Sequence, residues 1–422
     1  MPTTFRPYQP KQKLLLPPDL REWLPEGHLA YHVSDLVDGL DLTAFYAPYE
    51  GDGRRNTPYE PRMMVKLLVY GYATGVFSSR RIAKKLEEDV AFRMLAAGNF
   101  PAHRTISEFR RRHLEDFRKL FVEVVRLAGE LGLVTFGKLS IDGTKVRANA
   151  SKRKAMTYER MERAARRLEA EIRDLMGRAE EIDAEEDTRY GADRRGDEIP
   201  QELRRRKDRL AAIRAAQARL EARQRAADDA RGRKPGQDRN PKGGRPYKRA
   251  YGEPDPKAQS NFTDPESGIM KTSTEGYQQC YNPQVTVDGE NQLLVANEVT
   301  ANASDQGQMI AQLDAVQATY GEVPETVLAD ANYANERDLA ELEARGIDGY
   351  VALGREGKFP TKTGDPKRAP ATKRMAEKLV TEAGRATYAT RKWLSEAPHG
   401  WIKEVLGFRR FSVRGLQKVQ GE

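Results

Sequence analysis

The chain has 422 residues, 38% of them hydrophobic, which is enough for two or three domains with apolar cores and excludes a disordered protein. Lysine and arginine number 72 against 63 aspartate and glutamate, and the net charge of +9 favours a polyanionic partner such as nucleic acid. The single cysteine, Cys280, excludes an internal disulfide and a cysteine-based zinc cluster, and the five histidines are too scattered to predict a metal site.

The sequence contains no stretch typical of export or of membrane insertion. Prolines interrupt the first twenty residues, which lack an apolar run of signal-peptide length. The most apolar run, MMVKLLVYGYATGV, contains Lys66 and is far shorter than a membrane span. We expect a cytoplasmic protein without a membrane partner.

Residues 1–130 have the periodicity of short helices. The stretch EPRMMVKLLVYGYATG places Pro61 in a first helical turn and keeps its apolar residues on one face until Gly75. The next stretch, SSRRIAKKLEEDVAFRML, predicts a second helix capped at Ser78 or Ser79. We therefore predict an all-α domain at this end of the chain.

A third helix is predicted in RTISEFRRRHLEDFRKLFVEVVRLAGELG. It begins at a reciprocal cap of Thr105 with Glu108 and continues without a break to Gly132. Short helices with basic exposed faces are typical of a helix-turn-helix DNA-binding module, and equally of a helical bundle with a solvated face. The candidate DNA contacts here are Arg80, Arg81, Arg110 and Arg111.

The pattern changes from helix to strand in residues 131–151. The stretches LVTFGKLSIDG and TKVRANA have the composition of two strands, and Gly143 between them predicts a hairpin. Asp142 closes the first strand. An isolated acid at a strand end is most often a turn or cap residue, so a functional role for Asp142 requires a partner.

Residues 152–232 predict an antiparallel helical hairpin inserted into the domain that begins at residue 131. Apolar residues in its first arm recur at alternating intervals of four and three, as in a coiled coil, and the second arm repeats them at intervals of seven. Such a hairpin suits structural support, self-association or DNA contact. The predicted seam of the first arm is Met161, Ala165, Leu168, Ile172, Leu175, Ala179 and Ile182.

Residues 233–260 are predicted to be a basic flexible linker. The stretch RGRKPGQDRNPKGGRPYKR carries eight lysine and arginine residues against one acid, with four glycines. This composition cannot bury a core, and it suits contact with a phosphate backbone. The candidate DNA contacts are Lys242, Arg245, Lys248 and Arg249.

Strands and helices alternate in residues 261–422, which predicts an α/β domain. The stretches NPQVTVDG and NQLLVANEVT predict a second hairpin, and ETVLAD is a buried strand that ends in Asp330. Two aspartates at adjacent strand ends can share Mg²⁺ or Mn²⁺, which prefer oxygen ligands. With a third carboxylate from a helix, Asp142 and Asp330 would support two-metal displacement at phosphorus.

Five ordered stretches of the sequence resemble the DDE transposases of bacterial insertion sequences, in the subgroup that has a long insertion and a Y-R-E-K signature. Together they cover most of the chain, from about residue 10 to 420. The stretches are SSRRIAKKLEEDVAFRMLAAGNFPAHRTISEFRRRH, SIDGTKVRANAS, TDPESGIMKTSTEGYQQCYNPQVTVD, VLADANYANERDLAELEARG and YATRKWLSEAPHGWIKEVLGFRRFSVRGL.

The resemblance implies a fold and a metal site. The fold is an RNase H-like catalytic domain interrupted by the helical hairpin and preceded by the helix-turn-helix-like domain. The implied ligands of two Mg²⁺ or Mn²⁺ ions are Asp142, Asp330 and Glu396. Glu336 and Glu404 are competing third carboxylates, although Glu336 at a helix start is favourable for dipole reasons alone.

The resemblance also implies DNA contacts and an activity. Tyr388, Arg391 and Lys403 match the signature, and both basic residues are expected to hold DNA phosphates. The implied activity is cleavage at element ends and strand transfer by a homodimer. Relatives usually continue into an apolar helix beyond the position of Glu422, so a truncated DNA-binding remnant or repressor is an alternative, as is a nuclease without strand transfer.

Overall fold

The computed structural model describes residues 19–49, 57–190, 201–239, 246–272, 275–354 and 369–422, without the side chains of 179–190 and 201–203. The chain forms two compact units. The helical unit comprises the residues up to Val134 together with Glu396–Phe408 and Gly421, and the sheet unit comprises Thr135–Ser395, Arg409–Gln420 and Glu422.

The regular elements are numbered in chain order. The helices are α1 (Leu29–Gly39), α2 (Thr43–Tyr46), α3 (Pro61–Ala73), α4 (Ser79–Glu88), α5 (Val90–Leu95), α6 (His103–Arg112), α7 (Leu114–Glu130), α8 (Tyr158–Tyr190), α9 (Gln201–Ala230), α10 (Gln308–Tyr320), α11 (Glu336–Ala344), α12 (Pro370–Val380), α13 (Glu382–Ala389), α14 (Ala397–Gly400) and α15 (Leu416–Gly421). Two π-helical turns, Lys392–Glu396 and Trp401–Val405, flank α14. The strands are β1 (Lys138–Gly143), β2 (Val146–Arg147), β3 (Ala155–Thr157), β4 (Gln259–Asn261), β5 (Gly268–Thr272), β6 (Gly276–Asp288), β7 (Leu294–Thr300), β8 (Thr326–Ala329) and β9 (Asp348–Val351).

The described helices of the helical unit pack around a common apolar core, to which α3 contributes most residues. Pro61 is in the first turn of α3, where its missing N–H leaves no hydrogen bond unmade, as predicted. Leu67, Leu68 and Gly71 of the predicted apolar face are all buried. Gly71 permits close packing, because a Cβ there would lie 3.0 Å from the carbonyl oxygen of Val76.

Two helices predicted as continuous are each divided into two, so those predictions were wrong. Asp89 ends α4, and its carboxylate accepts hydrogen bonds from the backbone of Ala91 at 3.0 Å and Phe92 at 3.4 Å, which starts α5. His113 separates α6 from α7. The cap predicted at Thr105 was also wrong, since α6 begins at His103. Because both halves bury one face in the same core, the apolar period continues across each break.

The sheet unit contains a seven-stranded mixed sheet in the order β2-β6-β1-β8-β9, with β5 and β7 also paired to β6. The central strand β1 is antiparallel to β6 and parallel to β8, and β8 is parallel to β9. Leu139 and Ile141 on one face of β1 and Ser140 on the other are all fully buried, as expected for a strand covered on both sides. The predicted hairpin of β6 and β7 is confirmed.

The hairpin predicted at Gly143 was wrong. β1 and β2 do not pair with each other, because both pair with the 13-residue strand β6. Gly143 lies opposite Gln284, and Val146 lies opposite Tyr281, so the chain continues along the same partner after Gly143 without reversing. Strand composition predicted both segments, but the choice of partner depends on β6, which is more than 130 residues later in the chain.

Two long helices, α8 and α9, lie between β3 and β4 in the chain and pack against each other in antiparallel directions. Tyr158 donates to Glu221 at 2.8 Å, and Arg206 near the start of α9 donates to Glu171 at 3.0 Å. Four predicted seam positions, Met161, Ala165, Leu168 and Ile172, are buried, as are Ile213, Ala216 and Leu220 of α9. The strands β3 and β4 pair at the base of the two helices.

The two flanks of the basic segment are fixed to the end of α9. The guanidinium of Arg233, only 7% exposed, lies 4.1 Å from the centre of the Tyr247 ring and donates to the carbonyl of Arg249 at 2.6 Å. The buried carboxylate of Asp228 accepts hydrogen bonds from Gly252 N–H at 2.9 Å and Gln224 at 3.0 Å. Asp228 and Arg233, near the start of the basic segment, are therefore bonded to residues 247–252 near its end.

We expect Asp228→Ala to lower the free energy of unfolding by about 3 kcal/mol at pH 7, because it leaves the buried Arg233 without its carboxylate. The Gly252 N–H holds the pKa of Asp228 below its usual range. This stabilisation is therefore present above the unfolded-state pKa and is lost as the pH falls through the lower folded-state pKa.

Urea unfolding of both proteins at pH 7 and pH 3 measures this difference. The control is the adjacent Asp229→Ala, which removes an exposed hydrogen bond from Tyr251 and should cost less than about 1 kcal/mol. Equal losses for the two variants would contradict the assigned role of Asp228.

Candidate active site

Two aspartates lie side by side at the carboxyl ends of the parallel strands β1 and β8. The register of these strands ends with Ile141 opposite Ala329. Asp142 and Asp330 are the next residue of each strand, so the same register brings them to one edge of the sheet. Because side chains alternate along a strand, residues in register project to the same face. The two predicted acidic ligands are therefore neighbours, although 188 residues separate them in sequence.

The environment of Asp142 disfavours its charge. Burial raises the pKa of Asp142 to about 6; the charge of Arg391 opposes this increase, and the negative charge of Asp330 adds to it. The side chain is only 18% exposed. Carboxylates with a raised pKa and a like-charged neighbour are common at functional sites.

Arg391 is the counter-ion of Asp142. Its guanidinium lies 3.4 Å from Asp142 Oδ2 and 6.0 Å from the centre of the Tyr388 ring. Burial lowers the pKa of Arg391, but the charge of Asp142, the interaction with Tyr388 and the charge of Asp330 together outweigh that effect, so the pKa is raised overall. For Asp142 the balance is the reverse, because its burial outweighs the attraction. Sequence reasoning assigned Arg391 to DNA and missed this ion pair.

A pocket of about 260 Å³ opens beside Asp330. It brings the acid Asp330 together with the basic side chains of Arg391 and Lys392 and with the aromatic ring of Tyr388. A larger cavity of about 870 Å³ in the helical unit has one carboxylate among its described lining residues, Glu108. The smaller pocket is therefore the better catalytic candidate, since it is lined by Asp330 and by Arg391, the counter-ion of Asp142.

Gly143 follows Asp142 and packs against buried polar side chains that sequence reasoning missed. A Cβ at Gly143 would lie 2.5 Å from Gln284 Nε2 and 2.7 Å from Asp305 Oδ1. Gln284 is fully buried and Asp305 is 6% exposed. A signal was present, because the stretch NPQ places two amides within a strand that is otherwise predicted to be apolar.

Glu396, the third predicted ligand, is exposed at the end of the π-helical turn Lys392–Glu396. It belongs to the helical unit, whereas Asp142 and Asp330 belong to the sheet unit, so its place in the site stays a prediction. Within the described part of the chain, no group of three or more histidine, cysteine, aspartate and glutamate side chains is arranged to hold a metal ion. The two aspartates supply oxygen donors of the kind that Mg²⁺ and Mn²⁺ prefer.

The competing carboxylate of Glu336 has a structural role. It accepts hydrogen bonds from the backbone of Ala371 and Thr372, each at 2.9 Å, and thereby caps α12. Burial raises the pKa of Glu336, but the hydrogen bonds from Thr372 and Ala371 outweigh it and lower the pKa overall. Glu404, the other competitor, is exposed in the helical unit.

The predicted DNA contacts of the helical unit differ in their surroundings. Arg80 and Arg81 are exposed on α4, and Arg111 is exposed and paired with Glu108. Arg110 is half-buried and donates to the hydroxyl of Tyr72 at 2.9 Å and to the carbonyl of Phe77 at 3.0 Å. Of the predicted contacts in this unit, Arg80 and Arg81 are two exposed cations that lie next to each other on one helix.

The remaining predicted contacts lie in several parts of the chain. Lys248 is exposed, and Arg249 is bonded to Asp255 at 2.5 Å. Lys403 is half-buried in the π-helical turn Trp401–Val405. Lys242 and Arg245 lie outside the described residues.

Comparison with protein families identifies two parts of the chain. Residues 18–112 match the family described as Transposase domain (DUF772), and residues 249–422 match the family described as Transposase DDE domain. Together these domains indicate a DNA transposase. No curated protein and no solved structure matches the chain. A DDE domain implies an RNase H-like fold, in agreement with the mixed α/β sheet of this transposase.

The sheet connects Asp142 to the matched DDE domain. Asp142 lies between the two matched ranges, but its strand β1 pairs on one side with β6 and on the other with β8, both within residues 249–422. The first aspartate therefore belongs to the same sheet as the second. Among the described residues of the transposase, no helix is long and apolar enough to cross a membrane.

We expect Gly143→Ala to lower the free energy of unfolding by about 1–3 kcal/mol, because the new methyl group must displace Gln284 or Asp305. Thermal unfolding measures the loss. Gly137→Ala is the matched control just before β1, where a Cβ would approach only the Thr135 hydroxyl, at 3.8 Å. A Gly143 variant as stable as the Gly137 variant would show that the close packing at Gly143 is unimportant.

The pKa of Asp142, about 6, exceeds the value of about 3.9 for an unfolded chain, so the folded state binds more protons between these values and stability falls as the pH rises through them. Asp142→Asn removes this charge. In metal-free buffer at pH 8 we expect the variant to be more stable by on the order of 2 kcal/mol, with little difference at pH 4.

Denaturant unfolding at pH 4, 6 and 8 tests this pH dependence. Asp174→Asn, on the exposed surface of α8, is the control and should show no gain that grows with pH. A loss of stability at pH 8 in the Asp142 variant would mean that the ion pair with Arg391 outweighs the burial of Asp142.

Proposed function

We propose that this transposase cuts DNA at the ends of an insertion sequence by metal-dependent hydrolysis and then joins the freed 3′-hydroxyl to target DNA. The observation that carries the proposal is the register of β1 and β8, which places Asp142 and Asp330 at one sheet edge. A partly buried pair of like charges is costly unless a cation or proton neutralises it, and a DNA phosphate reaction can use that cation.

Asp142, Asp330 and Glu396 would hold two Mg²⁺ or Mn²⁺ ions. When bound, the ions lower the pKa of the attacking water or 3′-hydroxyl and stabilise the leaving oxygen. Arg391 neutralises Asp142 in the metal-free protein and can then turn to a DNA phosphate, for which its planar guanidinium is suited. Tyr388 and Lys403 complete the proposed Y-R-E-K set that contacts the DNA backbone.

The proposed architecture is an RNase H-like catalytic domain interrupted by the hairpin of α8 and α9. The helical unit would bind the element ends through Arg80, Arg81, Arg110 and Arg111. The basic segment would add phosphate contacts through Lys242, Arg245, Lys248 and Arg249. A homodimer would hold both element ends, as transposition requires two cut ends at one target.

The decisive experiment is Mg²⁺-dependent cleavage of a DNA duplex that carries the flanking element ends. Asp142→Ala and Glu396→Ala should each slow cleavage roughly 1000-fold, since each loses several kcal/mol of metal-ion stabilisation of the transition state. Glu336→Gln is the control, because that carboxylate caps α12 and should affect stability more than cleavage.

Two other outcomes would favour different functions. Stable DNA binding by the unaltered protein without any cleavage would favour a catalytically impaired DNA-binding protein or repressor. Cut ends without a joined product would favour a metal-dependent nuclease. Normal cleavage by the Glu396 variant would remove Glu396 from the site while leaving the two aspartates in place.

A further inference from the structure

A network of buried polar side chains adjoins the strand ends that carry the two aspartates. Its centre is Asp305, which accepts hydrogen bonds from Lys145 at 3.1 Å, Asn282 at 2.6 Å and Gln284 at 2.9 Å. Three donors therefore occupy this carboxylate, and the ammonium of Lys145 balances its charge. Asp305 is consequently a poor candidate for a metal ligand, although it lies close enough to Asp142 to raise the pKa of that residue.

Gln284 connects this network to both strand ends. In the pairing of β6 with β1, Gln284 lies opposite Gly143, which is the residue that follows Asp142. Its side-chain oxygen accepts a hydrogen bond from the hydroxyl of Tyr333. Tyr333 is fully buried, and its backbone N–H donates to the carbonyl of Asp330 at 3.2 Å. One amide side chain thus contacts the segment after each aspartate.

The tyrosine hydroxyl fixes the orientation of that amide. Burial raises the pKa of Tyr333, and the charges of Asp305, Asp142 and Asp330 raise it further. The hydroxyl therefore stays protonated and acts as a hydrogen-bond donor. The Gln284 oxygen must then face Tyr333, which leaves the nitrogen to face Asp305. Loss of the hydroxyl would leave the amide oxygen buried without this donor.

The network lies beside the end of the backbone ladder between β1 and β8. The last paired residues of these two strands are Ile141 and Ala329, so this ladder does not join Asp142 to Asp330, although the pairing of β1 with β6 continues through Asp142 and Gly143. Side chains alternate between the faces of a strand, and Asp142 therefore projects to the opposite face from Gly143 and its partner Gln284. The polar side chains support the strand ends from the face opposite the acids.

We infer that Tyr333 and Gln284 are positioning residues, which hold Asp142 and Asp330 at the separation that a shared divalent cation requires. The inference rests on the proposed metal-dependent function. Residues that orient metal ligands typically change metal affinity 10- to 100-fold when they are altered, without contacting the metal. A purely structural network would change stability and leave metal affinity as it was.

The test compares two tyrosine-to-phenylalanine variants that each lose one buried hydroxyl. Tyr333→Phe removes the proposed positioning contact. Tyr281→Phe is the matched control, because Tyr281 is also fully buried in the sheet unit and donates to Asp264 at 2.9 Å. Both should lower the melting temperature to a similar extent. Mn²⁺ binding, measured by calorimetry on the full chain at pH 7.5, should weaken about 10-fold for Tyr333→Phe and stay within twofold for Tyr281→Phe.

A second variant and a kinetic readout strengthen the test. Gln284→Glu keeps an acceptor for Tyr333 but loses the donor to Asp305, so it should weaken Mn²⁺ binding at least as much as Tyr333→Phe. In cleavage assays both should lower kcat with little change in KM for DNA, since neither side chain is exposed to the substrate.

The results separate the inference from the function on which it rests. Mn²⁺ binding that depends on Asp142 but is equal in Tyr333→Phe and Tyr281→Phe would overturn the positioning role alone. An unaltered protein that binds no Mn²⁺, with no difference from Asp142→Asn, would overturn both the metal site and the positioning role.

Discussion

The parallel pairing of β1 with β8 is the constraint on which the candidate site depends. It joins a strand from residues 138–143 to one from residues 326–329 and sets a register in which two aspartates end neighbouring strands. A slip of one residue would move one acid to the opposite face of the sheet. Such a slip would also bring the buried polar side chain of Ser140 to the face that Leu139 and Ile141 occupy, which opposes it.

This register brings two negative charges together at a partly buried strand end, and the surrounding residues reduce the electrostatic repulsion between them. Arg391 supplies an opposite charge to Asp142, yet burial still raises the pKa of the acid to about 6. The metal-free site is therefore less stable than an apolar strand end would be. Active sites commonly keep such destabilising arrangements because the ligand removes the cost when it binds.

The sequence predicted the parts of the site that depend on local pattern. Short apolar runs that end in an acid identified both Asp142 and Asp330, and the strands are where those runs lie. The sequence did not predict which strands pair. The composition of β1 and β2 fits two strands of one hairpin, but β6 is long enough to pair with both of them. Helix breaks at Asp89 and His113 were missed because the apolar period does not change there. The Arg391 ion pair was missed because partners 249 residues apart leave no periodic signal.

The two sides of β6 explain why that strand carries both apolar and amide residues. Val285 and Val287 are buried on the face that Asp142 also occupies, whereas Asn282 and Gln284 are buried on the other. An apolar residue in place of Gln284 would pair equally well with β1, but it would leave Asp305 and the Tyr333 hydroxyl short of partners in a buried place. Those two groups lie beside the segments that follow the two aspartates. The polar positions of β6 thus coincide with the end of the ladder between β1 and β8, where backbone pairing joins β1 to β6 but no longer joins it to β8.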